Sequence, residues 1–154
     1  MSSAKVGALI VFENKTILND VVESGSSVDA IVSREMLENI FYPKAPLHDG
    51  AVVIRDGRIH SAACILPLTK NTNISLALGT RHRAAIGMSE NSDATVVVVS
   101  EETGTISVAS KGNLKRDFDA ITLKTELENS ISGVESADAG KKSKNPFKRM
   151  GWFK

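Results

Sequence analysis

The run Val96, Val97, Val98, Val99 leaves this chain few folds to choose from. β-branched side chains are stiff and crowd a helix, so four in succession favour a strand, where successive side chains point to opposite faces. Both faces of that strand are then apolar, and each needs a cover. A sheet with helices on both faces supplies it. Neighbouring segments agree. "GALIVF" (7–12) reads as another buried strand, and "AVVIRDGRIHSAACILPL" (51–68) as a hairpin turning at Asp56 and Gly57. "ATVVVVS" and "TISVAS" form a second pair around Glu101 to Gly104. Ser33 is placed to cap a short helix through "REMLENIF", which Pro43 and Pro46 stop. From Asn113 to Ser132, Leu114, Phe118 and Ile121, then Leu123, Leu127 and Ile131, recur at helical spacing and predict one long helix packed on the sheet.

With 154 residues, 42% hydrophobic and 24% charged, the chain can bury one proper core. The expected domain is 1–133. It carries 13 Lys and Arg against 16 Asp and Glu, while residues 134–154 carry six against two. A mildly acidic body is a poor partner for nucleic acid, whose phosphates demand a basic surface. The basic end, "GKKSKNPFKRMGWFK", has few aliphatic residues and is expected to be disordered in isolation, although its lysines and aromatics also suit an anionic membrane surface. Cys64, the single cysteine, can form no intrachain disulfide and reads in "SAACIL" as a small buried hydrophobe in a reducing compartment. No apolar run approaches the roughly 18 residues of a membrane span. "VGALIVF" meets Glu13 and Lys15 without a cleavage signal, so the chain as given is expected to be cytoplasmic.

Three polar clusters fall at strand ends or a helix start. In "ALGTRHRAAIGMSE" (77–90), Thr80 suits an N-cap, which places Arg81, His82 and Arg83 in the first helical turn. That end already presents about half a positive charge and unpaired N–H groups, so cations there are unfavourable unless an anion joins them. Phosphate matches the donors available: backbone amides, a threonine hydroxyl and a guanidinium fork. Solvated surface arginines are the plainer alternative. In "PLHDGA", His48 and Asp49 precede Gly50 and a β-branched strand. Gly50 allows close approach of backbone to a ligand, and an imidazole beside a carboxylate can bind a metal or act as a base, while an Asx turn would give the same letters. In "SEE", Ser100 and Glu102 follow the valine strand two residues apart and so share a face, or simply end a hairpin.

In their order and spacing, "LHDGAVVI", "LGTRHRAAIG" and "VVSEETG" resemble the diadenylate cyclase domain, which makes cyclic di-AMP from two ATP molecules. The resemblance runs from about Val6 to Ile131, with the Asp-Gly-Ala and Arg-His-Arg motifs unaltered. It implies a single α/β domain with a central mixed β-sheet flanked by helices, one ATP per domain, and catalysis by a homodimer whose two sites face each other. Asp49 would be the catalytic aspartate, receiving or polarising the ribose 3′-hydroxyl proton directly or through a divalent metal, Mn²⁺ or Mg²⁺, held by His48, Asp49 and Glu102. Gly79, Thr80, Arg81, His82 and Arg83 would hold the triphosphate, Ser100 would touch phosphate or ribose, and Gly50, Ala51 and Leu66 would lie against adenine. Relatives can carry an aromatic at the position of Ile65, which leaves base stacking there open. The chain looks most like the membrane-tethered housekeeping cyclase. The full-length protein is accordingly expected at the cytoplasmic face of the cell membrane, through N-terminal helices or the basic tail, and open to regulatory protein partners. A noncatalytic nucleotide sensor would need the anion site without Asp49, and a purely structural domain would need neither.

Overall fold

A computed structural model describes residues 1–135, with side chains through Ile131. The elements run β1 (Ala8–Phe12), α1 (Asn19–Ser24), β2 (Ser26–Ile31), α2 (Arg34–Ile40), β3 (Ala51–Arg55), β4 (Arg58–Cys64), α3 (Thr80–Glu90), β5 (Thr95–Val99), β6 (Ile106–Ser110), β7 (Asn113–Phe118) and α4 (Ala120–Glu135). The basic segment from residue 136 onward lies outside the described residues.

The strands form one seven-stranded sheet in the order β2-β4-β3-β1-β5-β6-β7. β1 pairs parallel with β3 and antiparallel with β5, and the remaining pairs are antiparallel, so the sheet is mixed, as the resemblance implies. The valine run behaves as its pattern demands. Val96 and Val98 pack with Leu9, Val11 and the α3 residues Ala84, Ala85 and Met88; Val97 and Val99 join Ile10, Phe12, Leu37 and Leu127 on the opposite face. Two apolar layers thus sandwich the sheet. The β3–β4 turn has Asp56 at φ 51° and Gly57 at φ 74°, the left-handed pair whose twist matches a tight hairpin. Ser33 caps α2, its hydroxyl accepting the Met36 N–H at 3.1 Å.

Two expectations are corrected. The long helix over 113–132 is a strand followed by a helix: Asn113–Phe118 is β7, and α4 starts at Ala120. Asp119 separates them, its carboxylate accepting the Thr122 N–H at 2.8 Å in the manner of an N-cap. The N-cap of α3 is Gly79, with no side-chain capping bond, and Thr80 is the first helical residue. Residues 13–32, without a distinct pattern in the sequence, form α1 and the edge strand β2. A nearly buried Glu13 carboxylate organises the approach to α1, accepting Arg55 Nε at 2.7 Å, Arg55 Nη2 at 2.9 Å and the Leu18 N–H at 2.9 Å.

Candidate active site

One cleft of about 700 Å³ opens at the end of the sheet where β3 begins and β5 ends, a size suited to a nucleotide. Its first wall is the turn before β3. His48 Nδ1 lies 2.7 Å from Ala45 O. A carbonyl can only accept, so Nδ1 donates, and in the neutral imidazole Nε2 keeps its lone pair for a ligand. Asp49 is exposed on the cleft wall. Gly50 holds this turn at φ +113°, and a β-carbon there would lie 2.7 Å from Ala63 C and 2.8 Å from Cys64 O. Only glycine fits that conformation and that gap.

The second wall is the start of α3. Its first intrahelical bond runs from Arg83 N–H to Gly79 O at 3.2 Å, which leaves the amides of Thr80, Arg81 and His82 ahead of the helical ladder. No acidic residue sits in this turn. The Arg81 guanidinium crosses to Glu101, Nη1 to Oε2 at 3.0 Å, and is seated over Gly7, where a β-carbon would lie 2.7 Å from Nη1. The Glu101 side chain is 65% exposed, so the pair is weak and an arriving phosphate can replace it. His82 is 6% exposed, and its Nε2 has no hydrogen-bond partner among the described residues. Burial above all, then the nearby Arg116 charge, holds the imidazole below its ordinary pKa, against an opposing pull from Glu102.

The third wall follows β5. The Ser100 hydroxyl oxygen accepts the N–H groups of Glu102 and Thr103, each at 3.3 Å, which folds the turn and leaves the hydroxyl proton to donate. Glu102 is exposed and makes no ion pair among the described residues. Leu9, Val99 and Leu66 supply apolar surface at the base, and Ile65, 72% exposed, stands at the margin. Cys64, at the end of β4, also lines the cleft, with a buried thiol whose pKa burial pushes up, in keeping with an inert hydrophobe.

The cleft thus brings together His48, Asp49, Gly50, Leu66, Gly79, Thr80, Arg81, His82, Ser100 and Glu102. Ala51 and Arg83 do not line it. Ala51 is fully buried in β3, and the first turn of α3 carries Arg83 away from the cleft, where its carbonyl accepts the Thr69 N–H at 3.1 Å. Glu101, Thr103 and Arg116 line it without having been singled out in the sequence, and Gly7 lies beneath Arg81. The resemblance itself includes "VVSEETG", so Glu101 was within reach; Arg116 was hidden in a segment read as helix. As a metal site the donor set is partial. The His48 imidazole and the adjacent Asp49 carboxylate are donors that would suit a divalent cation tolerant of nitrogen, such as Mn²⁺. No group of three His, Cys, Asp or Glu is arranged to hold a metal ion among the described residues.

Residues 1–114 match the DAC family model, described as DisA bacterial checkpoint controller nucleotide-binding. The chain is 48% identical over 128 residues to the cyclic di-AMP synthase CdaA of Bacillus subtilis, covering 83% of this chain and 47% of that protein. It is 54% identical over 114 residues to the diadenylate cyclase CdaS of Bacillus thuringiensis, covering 74% of this chain and 57% of that one. The chain therefore spans about half the length of these curated relatives. Among solved structures, a double mutant of DacA from Staphylococcus aureus superposes with a TM-score of 0.80 at 49% identity, covering 85% of this chain and 87% of its own. A protein of Bacillus cereus described as a hypothetical membrane spanning protein gives 0.74 at 52% identity, covering 77% of this chain and 58% of its own.

Proposed function

The chain belongs to the DAC family, and on that premise we propose that it is a diadenylate cyclase, condensing two ATP into cyclic di-AMP and two pyrophosphates. One observation carries the reading: Asp49 and the cationic start of α3 line the same cleft. A nucleotide sensor has use for the second and none for the first. In the reaction each ribose 3′-oxygen bonds to the α-phosphorus of the other ATP as the bond from that phosphorus to pyrophosphate breaks, and each 3′-hydroxyl gives up its proton. Asp49, exposed on the cleft wall, takes or polarises that proton. The free amides of α3 and the Arg81 guanidinium hold the phosphates and offset the charge that builds on the leaving pyrophosphate. His82, kept neutral, adds a ring nitrogen without adding charge, Ser100 donates its hydroxyl proton to phosphate or ribose, and Leu66 lies against adenine.

His48, Asp49 and Glu102 are the residues that would hold Mn²⁺ or Mg²⁺, which would lower the pKa of the 3′-hydroxyl. Two facing chains complete the reaction, since one cleft makes one bond. We extend the reading to location: the Bacillus cereus relative's description supports a longer protein anchored at the membrane, while no helix among the described residues is long and apolar enough to cross one.

Incubation with ATP and Mn²⁺, followed by chromatography, is expected to yield cyclic di-AMP. Asp49→Asn should keep ATP binding and lose turnover by about 10²-fold or more. Tight ATP binding with no cyclic product from the wild-type chain would leave only the sensor.

A further inference from the structure

We propose that Arg116, on the edge strand β7, is a further substrate-binding residue of the cleft and grips the terminal phosphates of the triphosphate. The inference rests on the nucleotidyl-transfer reading above and begins from the β6–β7 register. Ala109 pairs with Leu114 and Val108 with Lys115, but Ile106 pairs with Phe118, so Arg116 and Asp117 together stand opposite Ser107. This is a β-bulge, with Asp117 at φ 65°. Its effect is to change which residues share a face. Leu114 packs with the α3-side core, Lys115 reaches Glu126 of α4 at 3.1 Å on the other side, and Phe118 joins the α4-side core. Without the extra residue, Phe118 and Arg116 would share one face. With it, Phe118 is buried under α4 while Arg116 lines the cleft beside His82.

The Arg116 guanidinium has no hydrogen bond or ion pair among the described residues. It is thus the second guanidinium of the cleft, in the part expected of Arg83, and its fork is free where that of Arg81 is shared with Glu101. A permanently charged planar donor set matches phosphate oxygens. Position selects which phosphates. Asp49 precedes β3, and β7 lies four strand steps away across β1, β5 and β6, roughly 19 Å at the usual interstrand spacing. If Asp49 marks the ribose of the nucleotide bound in this cleft, Arg116 marks the far end of that nucleotide's triphosphate.

The test uses 3′-deoxy-ATP, which lacks the attacking hydroxyl and cannot turn over, and 3′-deoxy-AMP, which lacks the terminal phosphates. Calorimetry in Mg²⁺ on wild type, Arg116→Gln and Arg116→Lys gives the affinities. Arg116→Gln should weaken 3′-deoxy-ATP by about ten- to a hundredfold, the worth of a charge-assisted bond, and leave 3′-deoxy-AMP within about twofold. Arg116→Lys should recover part of the loss. An unchanged 3′-deoxy-ATP affinity, or an equal loss for both nucleotides as a collapsed cleft would give, overturns the assignment. The parent reading fails separately, if wild type makes no cyclic di-AMP from ATP, and the two affinities still decide the role of Arg116.

Discussion

Gly50 and His82 tie local geometry to chemistry at the scale of single residues. A methyl group at residue 50 meets the β4 backbone on a φ that L residues rarely adopt, so Gly50→Ala is expected to shift Asp49. Thermal unfolding should show a loss of about 1–3 kcal/mol, with cyclase activity falling further than stability. A variant as stable and active as wild type would show that the turn can relax. At His82 the native state resists protonation, chiefly through burial. The unfolded imidazole protonates near its ordinary value of about 6.5. As pH falls through that value the unfolded chain takes up a proton that the native chain refuses, so stability is full above it and declines until the lowered native pKa is passed. Urea midpoints at pH 7.5 and 5.5 should therefore fall more for wild type than for His82→Gln. Equal falls would place the titrating group elsewhere.

Among the helices, α3 is the most enclosed over the described residues, with every residue from Ala84 to Ser89 buried. The β4–α3 connection lies across it at Gly87, where a β-carbon would reach Pro67 O, Thr69 N at 2.6 Å and Leu68 C at 2.7 Å. Thr69 fastens that connection to both ends of the helix, through its N–H to Arg83 O at 3.1 Å and its hydroxyl to Glu90 at 2.9 Å. The phosphate end of the cleft and the Leu66 wall are thereby one unit. Gly87→Ala should push them apart, cost about 1–3 kcal/mol in unfolding experiments, and weaken nucleotide binding in calorimetry; unchanged ATP affinity would separate the two. The sequence made α3, the hairpins and the central strands legible because each carries an unmixed local signal: a helical run after Thr80, an Asp-Gly turn, valines at both parities. β7 was illegible for a physical reason. Its bulge moves Phe118 to the face opposite Leu114, and two strand residues four apart then look like one helical stripe. β2 hides similarly, as a largely exposed edge strand whose pairing shifts register between Ser27 and Ala30. Within the site, motifs located Asp49 and Arg81, but letters alone could not show that the first turn of α3 aims Arg81 at the cleft and Arg83 away from it.

On the scale of the whole molecule, the proposed chemistry needs two chains, and apolar Ile65, Leu68 and Leu76 are exposed at 72%, 53% and 93% on the segment that borders the cleft. With 13 basic against 16 acidic side chains, residues 1–133 give no strong net electrostatic attraction between copies. Specific activity is accordingly expected to fall on dilution, and wild type mixed with Asp49→Asn should accumulate a linear dinucleotide. Constant specific activity down to concentrations at which light scattering shows only monomer would exclude the two-chain mechanism. The strand order has a further consequence, for how the protein comes into being. The cleft gathers Gly7, His48, Leu66, the start of α3, Ser100 and Arg116 from sites spread over most of the domain, and its central parallel pair, β1 with β3, closes only after an excursion of some forty residues. Such nonlocal pairing is the slow kind. A nascent chain still short of Arg116 has only part of its cleft, so in stopped-flow refolding the ability to bind 3′-deoxy-ATP should return with the last phase, making the nucleotide a reporter of completed folding.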